Sequence, residues 1–131
     1  MREVLKISKT YELRKVITKL LKEANEKVFY ENATDKTPYP YIVYEFDTVT
    51  FENINRDDVI LTIDIWDKGK DSEKVEKIAD KIEDLLNFKN NPTGKVLPTF
   101  YLASRNSIRD EDKNIRRREL RFLIQNYYIG G

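Results

Sequence analysis

The sequence predicts an α+β domain: a mostly antiparallel or mixed sheet of four or more strands, with two amphipathic helices packed on one face, in the order α-β-β-α-β-β. Three observations predict it. Two stretches repeat apolar residues at helical spacing, four segments alternate apolar and polar residues, and no repeat, low-complexity run or linker divides residues 1–131. A helix and a strand pair from each half bury every apolar stripe if both helices cover the same face of a common sheet, so residues 1–131 read as a single domain.

The first helix is read over residues 10–25, where Leu13, Val16, Ile17, Leu20, Leu21 and Ala24 form one stripe. Ser8 or Thr10 can cap it, and Glu12 suits the positive end of its dipole. Val4, Leu5 and Ile7 either extend this helix or form a separate segment. After the short apolar patch Val28 to Tyr30, Pro38 and Pro40 hold the chain extended. Ile42, Tyr44 and Phe46 then alternate with Val43, Glu45 and Asp47, with Val49, Phe51 and Ile54 continuing past an irregularity. Asn55 to Asp58 is turn chemistry, so the strand Val59 to Trp66 completes a long antiparallel hairpin. Its odd residues, Val59 to Ile65, share one face; Ile60, Thr62, Asp64 and Trp66 share the other.

The second helix is capped by Asp71 or Ser72 and carries the stripe Val75, Ile78, Ala79, Ile82, Leu85 and Leu86, with Glu73 and Lys77 paired on its solvated side. Asn90 to Gly94 stops it. A third strand runs from Val96 to Ala103, and Pro98 near its start marks an edge. Ser104 to Arg116 reads as a polar loop, mobile in a free subunit, with Ile108 as its apolar anchor. The last strand puts Leu120, Phe122, Ile124 and Tyr128 on one face and Glu119, Arg121, Leu123, Gln125 and Tyr127 on the other.

Composition narrows the function. There are 24 Lys+Arg against 23 Asp+Glu, a formal charge of +1, and neither His nor Cys. Disulfides, thiolate zinc sites and every His- or Cys-dependent catalytic group are thereby excluded. No apolar run approaches the ~20 residues that span a bilayer, and the opening residues lack the apolar core of a secretory signal. The expectation is a soluble, intracellular-type chain that is not an enzyme and needs no cofactor or metal. Glu111-Asp112-Lys113 resembles half of a magnesium-dependent nuclease core but has no partner Pro-Asp on a strand. Asp57-Asp58 and Asp110 to Asp112 lack the spacing of a calcium loop, and no phosphate-cradling glycine motif occurs.

What remains is surface. Arg105, Arg109, Arg116, Arg117, Arg118 and Arg121 crowd one segment, but Asp110, Glu111, Asp112 and Glu119 interleave with them. That mixture favours ion pairing, within a subunit or across an interface, over nucleic-acid contact; a small nucleic-acid-binding accessory protein using Arg105 to Arg121 is the alternative. Ile60, Trp66, Leu123 and Tyr127 lie on the sheet face that the helices leave uncovered, where large apolar residues usually meet a partner.

The order of these parts resembles a known family. An amphipathic helix precedes the Pro-led segment Thr37-Pro38-Tyr39-Pro40-Tyr41-Ile42-Val43-Tyr44. A strand ending Ile63-Asp64-Ile65-Trp66-Asp67 leads into the helix around Val75, Ala79 and Leu85, and Arg118-Glu119-Leu120-Arg121-Phe122-Leu123-Ile124 closes the chain. This is similar to the tail-terminator (tail completion, or head–tail joining) proteins of tailed bacteriophages and prophages; other neck and connector proteins share the layout. The resemblance implies no catalytic residues. It implies a homo-oligomer, a hexameric ring that caps the tail tube, meets the tail tube protein and the head connector or neck protein, and passes DNA without reading it. The expected location is the virion tail or neck, and the host cytoplasm during assembly, with no membrane contact. A closed ring needs two different patches on each subunit. The candidate interface residues are Ile60, Trp66, Ile108, Arg116, Arg118, Arg121, Leu123 and Tyr127.

Overall fold

The computed structural model describes residues 8–51, 53–93 and 95–128. The elements run α1 (Lys9–Lys22), β1 (Val28–Tyr30), β2 (Tyr41–Thr50), β3 (Arg56–Lys68), α2 (Glu73–Leu86), β4 (Val96–Ser107) and β5 (Ile115–Tyr128). The five strands form one sheet in the order β1-β2-β3-β5-β4, antiparallel throughout except for the parallel β1–β2 pair. The expected fold class is therefore observed, with one short strand added.

Both helical stripes face a single core. Leu13, Ile17 and Leu21 of α1 and Val75, Ile78, Ala79, Ile82 and Leu86 of α2 join Ile42, Tyr44, the odd residues Val59 to Ile65, Phe100, Leu120, Phe122 and Ile124. The alternation of the strands is what delivers these residues to one side. Tyr44 is buried to its ring, and its hydroxyl donates to the Arg14 carbonyl (3.0 Å) and bonds the Thr18 hydroxyl, which locks α1 over β2. Ser8 caps α1 by accepting from the Tyr11 N–H. Ser72 occupies the N-cap of α2 without a side-chain bond, while the Asp71 carboxylate accepts from the Glu73 N–H.

The structure corrects four boundaries. Val28 to Tyr30, read only as an apolar patch, pairs with Ile42 to Tyr44 as β1. Arg56, Asp57 and Asp58 belong to β3 rather than to a turn, because Thr50 pairs Asp57 and the hairpin bends earlier. α2 ends at Leu86, before Asn90, because the Asn87 side chain accepts from the Leu102 N–H and draws the chain onto the edge of β4. The polar loop also shrinks: β4 runs on through Ser107 and β5 begins at Ile115, leaving only residues 108–114 between them. Polar side chains on these strand ends hid their ladder hydrogen bonds, which depend on backbone and not on hydropathy. Val4, Leu5 and Ile7 lie outside the described residues.

Arg105 and Arg118 fill the end of the helix-covered face. Arg105 reaches Asp80 (2.7 Å), Glu76 (3.0 Å) and Glu83 on α2, and the Arg118 Nε donates to Glu76 at 3.0 Å. Burial alone would raise the Glu76 pKa, but the hydrogen bonds from Arg105 and Arg118 outweigh it and hold the carboxyl below its ordinary range. A carboxyl with a lowered folded pKa stabilises above its unfolded pKa and loses that contribution as pH falls through the folded value. Glu76→Gln should therefore cost about 1–2 kcal/mol at pH 7, reduced by its partial exposure. The difference from the parent protein should shrink in denaturant titrations as pH falls below the ordinary glutamate range.

Candidate functional site

Among the described residues no helix or strand covers the face of the sheet opposite the helices, and three zones divide it. At the end near the β2–β3 turn it mixes apolar pairs with polar residues, among them the Arg56–Asp58 ion pair. Ile60 of β3 stands opposite Leu123 of β5, which stands opposite Tyr101 of β4, and Tyr127 stands opposite Leu97. Ile60, Leu123, Tyr127 and Leu97 keep 51%, 38%, 45% and 42% of their surface exposed, so this end carries an apolar patch in two parts, Ile60 with Leu123 and Leu97 with Tyr127, separated by the polar row Asp58, Gln125 and Thr99. Phe88, on the chain that crosses the β4 edge, sets its ring edge-on to Tyr101 with centroids 6.1 Å apart and carries the patch around the side.

The middle zone is charged. Glu45 of β2 stands beside Thr62, and Thr62 beside Arg121, which pairs with Glu119 at 3.2 Å. The far end is aromatic. Trp66 stacks on Tyr41 (5.9 Å between centroids, 14° between planes), Tyr41 lies against Tyr39, and the Arg117 guanidinium sits 4.3 Å from the Trp66 ring centre. Arg117 also pairs with Asp64 at 3.2 Å. Burial raises the Asp64 pKa more strongly than Arg117 lowers it.

The structure thus separates the residues that the sequence grouped. Ile60 and Leu123 stand opposite each other on the open face with Arg121 beside them, Tyr127 lies beyond the Asp58–Gln125 pair opposite Arg56, and Trp66 stands at the other end. Trp66 points away from Ile63 and Ile65 as expected, but it is half-buried between Tyr41 and Arg117 rather than freely exposed. Arg118 lies on the helix-covered face against Glu76. Arg116 donates to the carbonyls of Gly69 and Lys70 and ties the β3–α2 connection to the β4–β5 turn. Ile108 is half-buried, and its N–H donates to the Arg117 carbonyl. Of the six clustered arginines, Arg105, Arg116, Arg117 and Arg118 are engaged inside the subunit, which removes most of the basic surface that nucleic acid would use. Asp110 and Asp112 accept backbone N–H bonds within their own turn. Leu97 and Tyr101 were missed as face residues. Their spacing of four along β4 carries the signal, since alternate strand residues share a side.

Trp66→Ala removes the stack and the cation–π contact but no core atom. It should lower the melting temperature by only a few degrees, while weakening assembly by about 2 kcal/mol or more. Thermal melts and assembly assays on the same preparation measure the two effects separately; unfolding at room temperature would make Trp66 a structural residue.

Comparison with known proteins places this geometry. The family described as Tail completion protein gp17 matches residues 13–125, which takes in β1 to β4, α2, most of α1 and β5 up to Gln125. No curated protein matches the chain. Among solved structures, a chain of the virion of a native gene transfer agent particle superposes with a TM-score of 0.63 at 13% identity, covering 82% of this chain and 84% of that one. At that identity the likeness is one of fold.

Proposed function

We propose that this chain, which belongs to the tail completion protein gp17 family, caps the tail tube as a subunit of a ring and joins the tail to the head. Family membership makes it a structural component of a phage tail. The finer reading rests chiefly on one observation: the exposed apolar pairs Ile60–Leu123 and Leu97–Tyr127 on a sheet face that, among the described residues, no helix or strand covers. Burying these side chains, at ~25 cal/mol per Å² of apolar surface, favours assembly. A chain without His or Cys, whose Arg105, Arg117 and Arg118 are held in internal ion pairs, suits a scaffold better than a catalyst. Among the described residues no helix is long and apolar enough to cross a membrane.

The ring has six subunits in this reading, with the tail tube protein on one side and the head connector or neck protein on the other. DNA passes through it without base-specific contact. Electron microscopy of tail tubes incubated with the purified protein tests the proposal. Tubes should stop growing and carry a ring at one end; tubes that lengthen unchanged, with bare ends, would refute it.

A further inference from the structure

The sheet has two uncovered stretches of edge, on opposite sides and at opposite ends. On one side β1 covers β2 only from Ile42 to Tyr44. The Ile42 N–H donates to Lys27 and the Tyr44 carbonyl accepts from Glu31, so the even residues of β2 turn their backbone groups toward that side. Phe46, Thr48 and Thr50 continue the pattern, and among the described residues nothing pairs with them there. On the other side, residues 87–93 form a strap along β4. Phe88 and Lys89 exchange backbone bonds with Phe100, and the Asn87 side chain accepts from Leu102, where the strap ends. The ladder then shifts at Ala103. Because the Ile108 N–H bonds Arg117, the Asn106 and Ser104 backbones face β5, while those of Arg105 and Ser107 face outward with no partner among the described residues.

We propose that these two edges pair with each other between copies of the chain. Phe46 to Thr50 of one subunit receives Ala103 to Ser107 of the next as an added antiparallel strand, with Thr48 opposite Arg105 and Phe46 opposite Ser107. This specifies the contact within the ring proposed above and rests on that reading. Three features fit. The direction is right, because β2, β3, β5 and β4 alternate in sense, so β4 already runs opposite to β2. The faces are right, because Thr48 and Arg105 both carry outward-facing backbone groups and both side chains lie on the helix side of the sheet. The covers do not collide. β1 ends level with Tyr44, just short of the added strand's end at Phe46, and the neighbour's strap begins where β2 stops.

The stagger also closes. Thr48 lies level with Val59, Ile124 and Phe100 of its own subunit. In the added pair it lies level with Arg105 of the next subunit, whose β5 partner is Leu120. Each subunit is thus displaced by the four residues between Leu120 and Ile124, across the four strands β2, β3, β5 and β4. Equal shear and strand number is the relation of the eight-stranded barrel with shear eight, in which strands tilt by about 36°. A head-to-tail contact of this kind closes by rotation, as a ring requires. It leaves the Ile60 and Leu123 patch on the wall of the ring, free for a different tail protein.

The chain has no cysteine, so a disulfide can report the contact. Asp47 and Asn106 would form a non-hydrogen-bonded cross-strand pair, with Cα atoms about 4.5 Å apart and within disulfide reach. Asp47→Cys/Asn106→Cys, oxidised at concentrations where the protein self-associates, should give a ladder of linked multimers on non-reducing gels. Either single variant should give none. Thr48→Pro removes an edge N–H without touching the β2–β3 ladder; it should keep the melting temperature and weaken self-association by about tenfold or more. Oligomers by light scattering with no ladder would overturn the edge pairing and leave the ring standing. A monomer with no ladder would overturn both. Dimers from Asp47→Cys alone would replace the head-to-tail contact by a two-fold one, overturning the proposal.

Discussion

Lysine at both Ile60 and Leu123 is expected to abolish capping of tail ends, with at least ~100-fold weaker binding, while the subunit stays folded. Both residues are exposed in the subunit and stand opposite each other across β3 and β5, so their replacement removes no core contact. In the assembled tail the same change places two ammonium groups in an apolar contact, where an unpaired charge is costly. Two anchors lost at about 2 kcal/mol each, only partly additive, correspond to that factor of ~100 or more. Circular dichroism melts confirm the fold, and electron microscopy of tubes mixed with the variant reads the loss. Normal capping by this variant would move the contact off the open face.

Lys9→Met is expected to destabilise the subunit by about 2–3 kcal/mol at pH 7, which is roughly 6–15 °C in melting temperature. Asp57 is buried to 1% exposure, and Lys9 lies 3.2 Å from both of its carboxylate oxygens. Removing the lysine leaves a buried carboxylate with no other side-chain partner among the described residues. The full cost of a broken buried pair is reduced because Lys9 itself is 30% exposed. Lys9→Met/Asp57→Asn should recover most of the loss, since it removes the charge that was stranded. Burial pulls the Lys9 pKa down, but Tyr128 and Asp57 outweigh it and the pKa is raised. A raised lysine stabilises fully below its ordinary value of 10.5 and loses that contribution as pH climbs through the folded one. Parent and Lys9→Met stabilities should therefore converge only in strong alkali; a single mutant as stable as the parent at pH 7 would deny Asp57 its dependence on Lys9.

Asp57 also shows why the sequence was legible only in part. The helices and the central strands were readable because Leu13, Ile17 and Leu21, or Leu61, Ile63 and Ile65, repeat at the period of their element. Asn55-Arg56-Asp57-Asp58 has the composition of a turn, yet Lys9 and the neighbouring Asn126 make room for Asp57 inside the sheet. No local pattern encodes a partner 48 residues away. The stretch from Ser104 to Ser107 failed for the same reason, since its arginine is held by α2 and its backbone by β5. The open face was foreseeable from Ile60, Leu123 and Tyr127 on their alternating strands. That Arg118 lies on the opposite side from Arg117 and Arg121 follows from strand parity, and composition alone had merged them into one basic cluster.

The central claim, that copies of this chain close into a ring, is tested most directly by molar mass from light scattering across a concentration series. The account predicts a mass that rises from one 15.6 kDa subunit toward six as concentration approaches the millimolar range. A mass fixed at one subunit over the whole series would contradict it.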